Sequence, residues 1–81
     1  MAKEEHEKNM GIILQHLFDI AKPIHSDEIG KLVKTSKSET QYYIDELRKK
    51  NYIQAVSKGM AGVYLTEWQI SAAGRKKIME G

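Results

Sequence analysis

The feature that most constrains this chain is a connection that is too short. Residues 26–34, "SDEIGKLVK", place Ile29, Leu32 and Val33 on one stripe of a helix. Residues 36–50, "SKSETQYYIDELRKK", do the same with Thr40, Ile44 and Leu47. Only about three residues around Thr35–Lys37 join the two patterns. Helices tied that closely must cross and pack on each other as a helix-turn-helix. The ends are marked by local chemistry. Ser26 is read as the N-cap of the earlier helix, with Asp27 and Glu28 in its positive first turn. Ser36 and Glu39 form a Ser-x-x-Glu capping box for the later one, in which the serine accepts from the Glu39 amide and the glutamate reaches back to the Ser36 amide. Asn51 stands where a left-handed residue is expected after the last turn.

Upstream, residues 4–21 carry Met10, Ile13, Leu14, Leu17, Phe18 and Ala21 at helical spacing, and Lys22-Pro23 stops that helix. After Asn51 the apolar period changes from helical to alternating. "YIQAV" and "VYLTEWQI" read as two strands, with "SKGMAG", residues 57–62, as the hairpin loop between them. Ser71 caps a short final helix, "AAGRKKIME". The order is helix, helix, helix, strand, strand, helix. We expect one domain over residues 1–81, with 1–9 a charged extension of the first helix.

Charge and composition narrow the function classes. The 81 residues have a net charge of +2 and contain no cysteine, so neither a disulfide nor a thiolate metal site is available. Residues 22–60 hold eight Lys/Arg against five Asp/Glu, whereas residues 1–21 are net acidic. The positive charge lies on the central helix pair and at the end. No apolar run is long enough to span a bilayer, and "MAKEEHEKNM" is no signal peptide. The expected location is cytoplasmic, with no membrane partner.

With this order established, the sequence resembles a winged helix-turn-helix domain of the kind found in transcription regulators of the MarR and PadR groups. Three stretches carry the resemblance: "IHSDEIGKLVKTSKSETQYYIDELRKKNYI", "SKGMAGVYL" and "WQISAAGRKKI". They look like the crossing helices with the first wing strand, the wing loop and its return, and the strand-to-helix exit. The implied fold class is α+β: a three-helix core, a two-stranded β-hairpin wing and a short C-terminal helix. Asn51 departs from the glycine usual after the second of the crossing helices, and no counterpart of the family's long dimerising helices is visible.

The resemblance implies a partner, double-stranded DNA, and a placement for it. The N-terminal part of the third helix enters the major groove, which is about 12 Å wide. With Thr40, Ile44 and Leu47 inward, Lys37, Ser38, Gln41 and Tyr42 face outward. Gln41 suits an adenine edge, Ser38 is an adaptable donor and acceptor, and Lys37 reaches a phosphate or guanine. Tyr42 offers its hydroxyl to a phosphate or its ring to a thymine methyl. Arg48, with Lys34 and Lys31, suits the DNA backbone. The resemblance puts Lys58 at the wing tip against phosphate or the minor groove. Each has a plainer reading: the lysines and Arg48 as solvated charges, Lys58 as a solubilising loop residue. Tyr42 and Tyr43 are adjacent and cannot both face a groove; Tyr42 is expected outside and Tyr43 packed. Asp45 and Glu46 oppose DNA and favour a shallow insertion.

Other chemistry finds little support. His6, His16 and His25 share no ligand spacing, and His25 is expected to support the turn before Ser26. No nucleophile–base pair, phosphate loop or dinucleotide fingerprint appears. The expectation is therefore no enzyme, no cofactor and no small-molecule ligand. Trp68 is read as packing under the first or final helix, or alternatively as an exposed partner anchor. Ile12 and Ile20 exceed what one buried face needs and are candidates for a homodimer seam. The competing function is a protein-interaction module or a subunit of a larger assembly.

Overall fold

The computed structural model of the chain describes residues 3–60 and 63–81, with side chains over 4–57 and 66–81. The elements are α1 (Lys3–Ile20), β1 (Ile24–His25), α2 (Ser26–Val33), α3 (Lys37–Lys49), β2 (Ile53–Met60), β3 (Val63–Ile70) and α4 (Ala72–Glu80). The strands form one antiparallel sheet in the order β1-β3-β2.

The helices begin and end for local reasons. α1 stops at Ile20, and Ala21 turns into the left-handed region at φ 54° ahead of Lys22-Pro23. α3 starts at the Ser36 cap, whose Oγ accepts from the Glu39 amide at 3.2 Å. The return half of the expected capping box is replaced: the Ser36 hydroxyl donates to Glu39 Oε1 at 3.2 Å, so the carboxylate caps the cap and not the Ser36 amide. Asn51 adopts φ 64°, as the sequence suggests, and the Tyr52 amide closes the end by donating to the Leu47 carbonyl at 3.0 Å. Lys34 also takes left-handed angles, φ 56° and ψ 48°, which turns the chain sharply between α2 and α3.

Two sequence expectations are corrected. The N-cap of α2 is His25 and not Ser26: His25 is extended at φ −76° and ψ 154°, and its Nδ1 accepts from the Asp27 amide at 3.1 Å. The reason is β1, which holds His25 opposite Glu67 while Ile24 pairs with Trp68. A strand of two residues has no period to read, so the sequence conceals it. The hairpin is also longer than expected. Ser57, Lys58, Gly59 and Met60 are not loop but strand, opposite Thr66, Leu65, Tyr64 and Val63. Lys58 and Gly59 are of residue types depleted in strands, so the sequence marks a turn where the backbone ladder continues.

The core gathers Ile13, Leu14 and Leu17 of α1, Ile29 of α2, and Tyr43, Ile44 and Leu47 of α3 over Ile24, Ile53, Trp68 and Ile70 of the sheet. Full burial of one such side chain contributes about 1.5–3 kcal/mol. Two glycines set how closely the elements approach. A Cβ on Gly30 would lie 2.9 Å from Thr40 Oγ1, so α2 crosses α3 at a distance only glycine permits without a shift. A Cβ on Gly74 would collide with the Tyr52 carbonyl oxygen, where α4 folds back on the start of β2. That carbonyl accepts from the Ser71 amide at 2.9 Å, and the Ser71 hydroxyl caps α4 by accepting from the Gly74 amide at 3.1 Å. No described helix is long and apolar enough to cross a membrane.

Candidate nucleic-acid interface

α3 is positioned from below by its core residues and from the side by a hydrogen-bonded lock. Thr40 is 3% exposed although polar. Its Oγ1 donates to the Ser36 carbonyl at 2.8 Å and meets Thr35 Oγ1 at 2.8 Å. A buried hydroxyl satisfied twice fixes the helix start relative to the turn. The outer residues of α3 inherit that rigidity.

The outer surface divides into two flanks. Lys37, Gln41 and Arg48 recur at roughly whole-turn intervals and share one flank. There an open cleft of about 750 Å³ lies against α2, lined by Lys31, Lys34, Lys37 and Gln41 with Asp27 as its carboxylate. A second open cleft of about 500 Å³ separates α3 from the hairpin. Gln41 and Arg48 border it on the helix side, and Ala55, Ser57, Thr66 and Trp68 border it on the sheet side. His25 and Ser26 line both clefts and join them. Because His25 Nδ1 accepts an amide hydrogen, its neutral ring carries the proton on Nε2. The structure thus brings together Lys37, Gln41, Arg48 and Lys34 of the expected site, with Lys31.

Ser38 and Tyr42 lie on the other flank, towards α1. The Tyr42 ring is 5.3 Å from the His6 ring and 5.8 Å from the Tyr43 ring. Tyr42 remains 45% exposed, whereas Tyr43 is buried and its hydroxyl accepts from Asn9 Nδ2 at 3.0 Å. The outside-inside assignment of the tyrosine pair follows the helical period. The part played by His6 does not, because it comes from the crossing of α1. Gln41 donates to Asp45 Oδ1 at 2.9 Å, an exposed one-turn pair worth about 0.2–0.5 kcal/mol and readily exchanged for another acceptor. Lys58 lies in β2, two residues from its end; its side chain lies outside the described residues.

Sequence reasoning placed His25 at the turn and Trp68 in the core, but missed that His25 joins the two clefts and that Trp68 lies beneath Arg48. Trp68 is 7% exposed, which overturns the exposed-anchor alternative. It sits in the sheet between Ala55 and Ile24, and the Arg48 guanidinium lies over its ring, 5.7 Å from the centroid. Ile20 packs partly against the core, while Ile12 is 38% exposed. Among the described residues no group of three His, Cys, Asp or Glu side chains could hold a metal ion.

No protein-family model and no curated protein sequence matches the chain. Solved structures do. The fold is similar to a candidate transcriptional regulator from Thermoplasma acidophilum, with a TM-score of 0.79, 19% identity, and coverage of 98% of this chain and 79% of that one. It is also similar to a candidate transcriptional regulator from Methanosarcina mazei, with a TM-score of 0.65, 17% identity, and coverage of 99% and 68%. Likeness at such identities is likeness of fold. With α2 and α3 as the crossing pair and β2–β3 as the wing, the chain has the α+β winged helix-turn-helix fold.

Proposed function

We propose that this chain binds double-stranded DNA sequence-specifically, as the DNA-reading part of a small transcriptional regulator. The observation that carries the reading is the cationic flank of α3: Lys37, Gln41 and Arg48 continue into Lys31 of α2 and Lys34 just after it, and open on a cleft against the wing that no carboxylate lines among the described residues. The N-terminal half of α3 enters the major groove, where Gln41 exchanges its Asp45 contact for an adenine edge and Lys37 takes a guanine or a phosphate. Lys34 and Arg48 hold backbone phosphates, and Lys58 serves the same end from the wing. Ser38 meets the groove at the rim, and Tyr42 touches backbone from the α1 side. As a homodimer the protein reads a two-fold site with half-sites a helical turn apart. The likeness to the two candidate transcriptional regulators supports this reading, and no catalytic step belongs to it.

The test is an NMR titration with a short mixed-sequence duplex at about 50 and 200 mM salt, between which phosphate-driven binding weakens steeply. Shifts at Lys37, Gln41 and Arg48 that fade at the higher salt are expected. Absence of shifts at the lower salt would sink the proposal. One observation favours a second reading as a protein-interaction module: Ile12 and Met79 are 38% and 76% exposed on α1 and α4, away from α3. In that case binding to a partner would be nearly insensitive to salt.

A further inference from the structure

Arg48 stands in the last turn of α3, where long cationic side chains ordinarily trail into solvent. Here it does not trail. Its guanidinium lies 5.7 Å from the centroid of the Trp68 ring, within the roughly 6 Å at which a cation is held by an indole face. Among the described residues no carboxylate forms an ion pair with it; the nearest helical pair, Lys49 with Glu46, lies on the same turn but does not include Arg48.

The sheet explains why the indole is there. Directly opposed residues of an antiparallel pair share a face, so Ile53–Ile70, Ala55–Trp68 and Ser57–Thr66 form three successive rungs. The first rung is core, with Ile53 and Ile70 at 3% and 5% exposure. The third is polar, and both of its residues are exposed. Trp68 is the rung between. The small Ala55 across from it leaves room for the indole, and Ile24 flanks it on β1. The ring is thus locked in place at the edge of the core, presenting itself to the cleft between α3 and the wing.

We infer that Trp68 is a positioning residue: its ring holds the Arg48 guanidinium in the cleft between α3 and the wing, ready for a phosphate of the duplex backbone. This rests on the DNA-binding reading and deepens it. Holding the cation before binding cuts the side-chain ordering that phosphate capture otherwise requires. The guanidinium also presents its N–H donors in a planar fork, so it can be held near the ring and still donate to a phosphate in bidentate fashion, which lysine cannot do. The wing and the recognition helix then grip one strand from two sides, with Trp68 as the link between them.

Two measurements test it. In the free protein, the side-chain NMR signals of Arg48 should be displaced by the indole ring current relative to Arg75, the other arginine, which is exposed. Undisplaced Arg48 signals would overturn the inference and leave DNA binding untouched. The second is a cycle of Arg48→Ala, Trp68→Leu and the double variant, each checked for fold by circular dichroism. Its readout is the salt dependence of duplex affinity. Arg48→Ala should flatten the log–log slope by about one phosphate's worth, near 0.9. Trp68→Leu should flatten it by part of that, and the double variant by no more than Arg48→Ala alone. A folded Trp68→Leu protein with the full wild-type slope, or losses that simply add, would overturn the inference while DNA binding stands. Failure of the wild-type protein to bind the duplex at about 50 mM salt would overturn both. Should Trp68→Leu not fold, the Arg48 displacement decides alone.

Discussion

The two exposed flanks of α3 lie barely a quarter-turn apart, and the fold treats them in opposite ways. On the flank of Lys37, Gln41 and Arg48 the neighbouring elements stand back, leaving open clefts against α2 and against the hairpin. On the flank of Ser38 and Tyr42, α1 comes close enough for the tilted His6 ring to lie 5.3 Å from the Tyr42 ring, leaving a smaller cleft of about 260 Å³. A helical wheel shows both as outside. What separates them is what the neighbours do with the space, and the difference teaches that exposure along a helix is not the same as availability to a ligand.

The comparison can be broken most forcefully from beneath. Ile44 is fully buried under both flanks, so Ile44→Ala should cost about 2–5 kcal/mol in chemical denaturation and degrade both together. A loss below 1 kcal/mol would mean that α3 is not seated as described. Next, Gly30→Ala pushes a methyl to within 2.9 Å of Thr40 Oγ1, whose two hydrogen bonds resist moving. The clash should cost about 1–3 kcal/mol, offset by up to about 1 kcal/mol of helix propensity. Amide shifts in the α2–α3 turn should accompany it, and an unshifted turn would show the crossing to be looser than drawn.

Smaller changes sharpen the contrast. Ser36→Ala removes the cap that starts both flanks and should cost about 1 kcal/mol, read from the thermal midpoint; Ser36→Asp, another good cap, should restore most of it. Lys37→Ala should flatten the salt slope of duplex binding by about 0.9, with little change in stability. Tyr42→Ala should leave that slope unchanged and instead perturb the His6 and Tyr43 ring resonances. Equal slopes for the Lys37 and Tyr42 variants would erase the distinction between the flanks.

Much of this was legible in the residues. The Ser36 cap, the left-handed Asn51, the Tyr42 and Tyr43 assignment and the Ser71 cap all depend on interactions within a few residues, and local chemistry writes them openly. Lys37, Gln41 and Arg48 could be named as outward for the same reason. The illegible parts are long-range. β1 exists because Ile24 finds Trp68, forty-odd positions on, and His25 becomes the α2 cap only because that pairing holds it extended. The hairpin outgrew its expected length because Lys58 and Gly59 are poor strand formers by type, yet the backbone ladder runs through them.

By itself, the sequence determined the four helices and the hairpin, the Ser36 and Ser71 caps and the crossing of α2 and α3, since three connecting residues and a 3.6-residue period leave a chain few alternatives. Only the tertiary structure decided which outward residues keep open space before them. That choice depends on where α1 and the hairpin arrive, and their arrival is set by the burial of Ile13, Leu17, Ile53 and Trp68 in one shared core, far in sequence from the residues whose fate it settles.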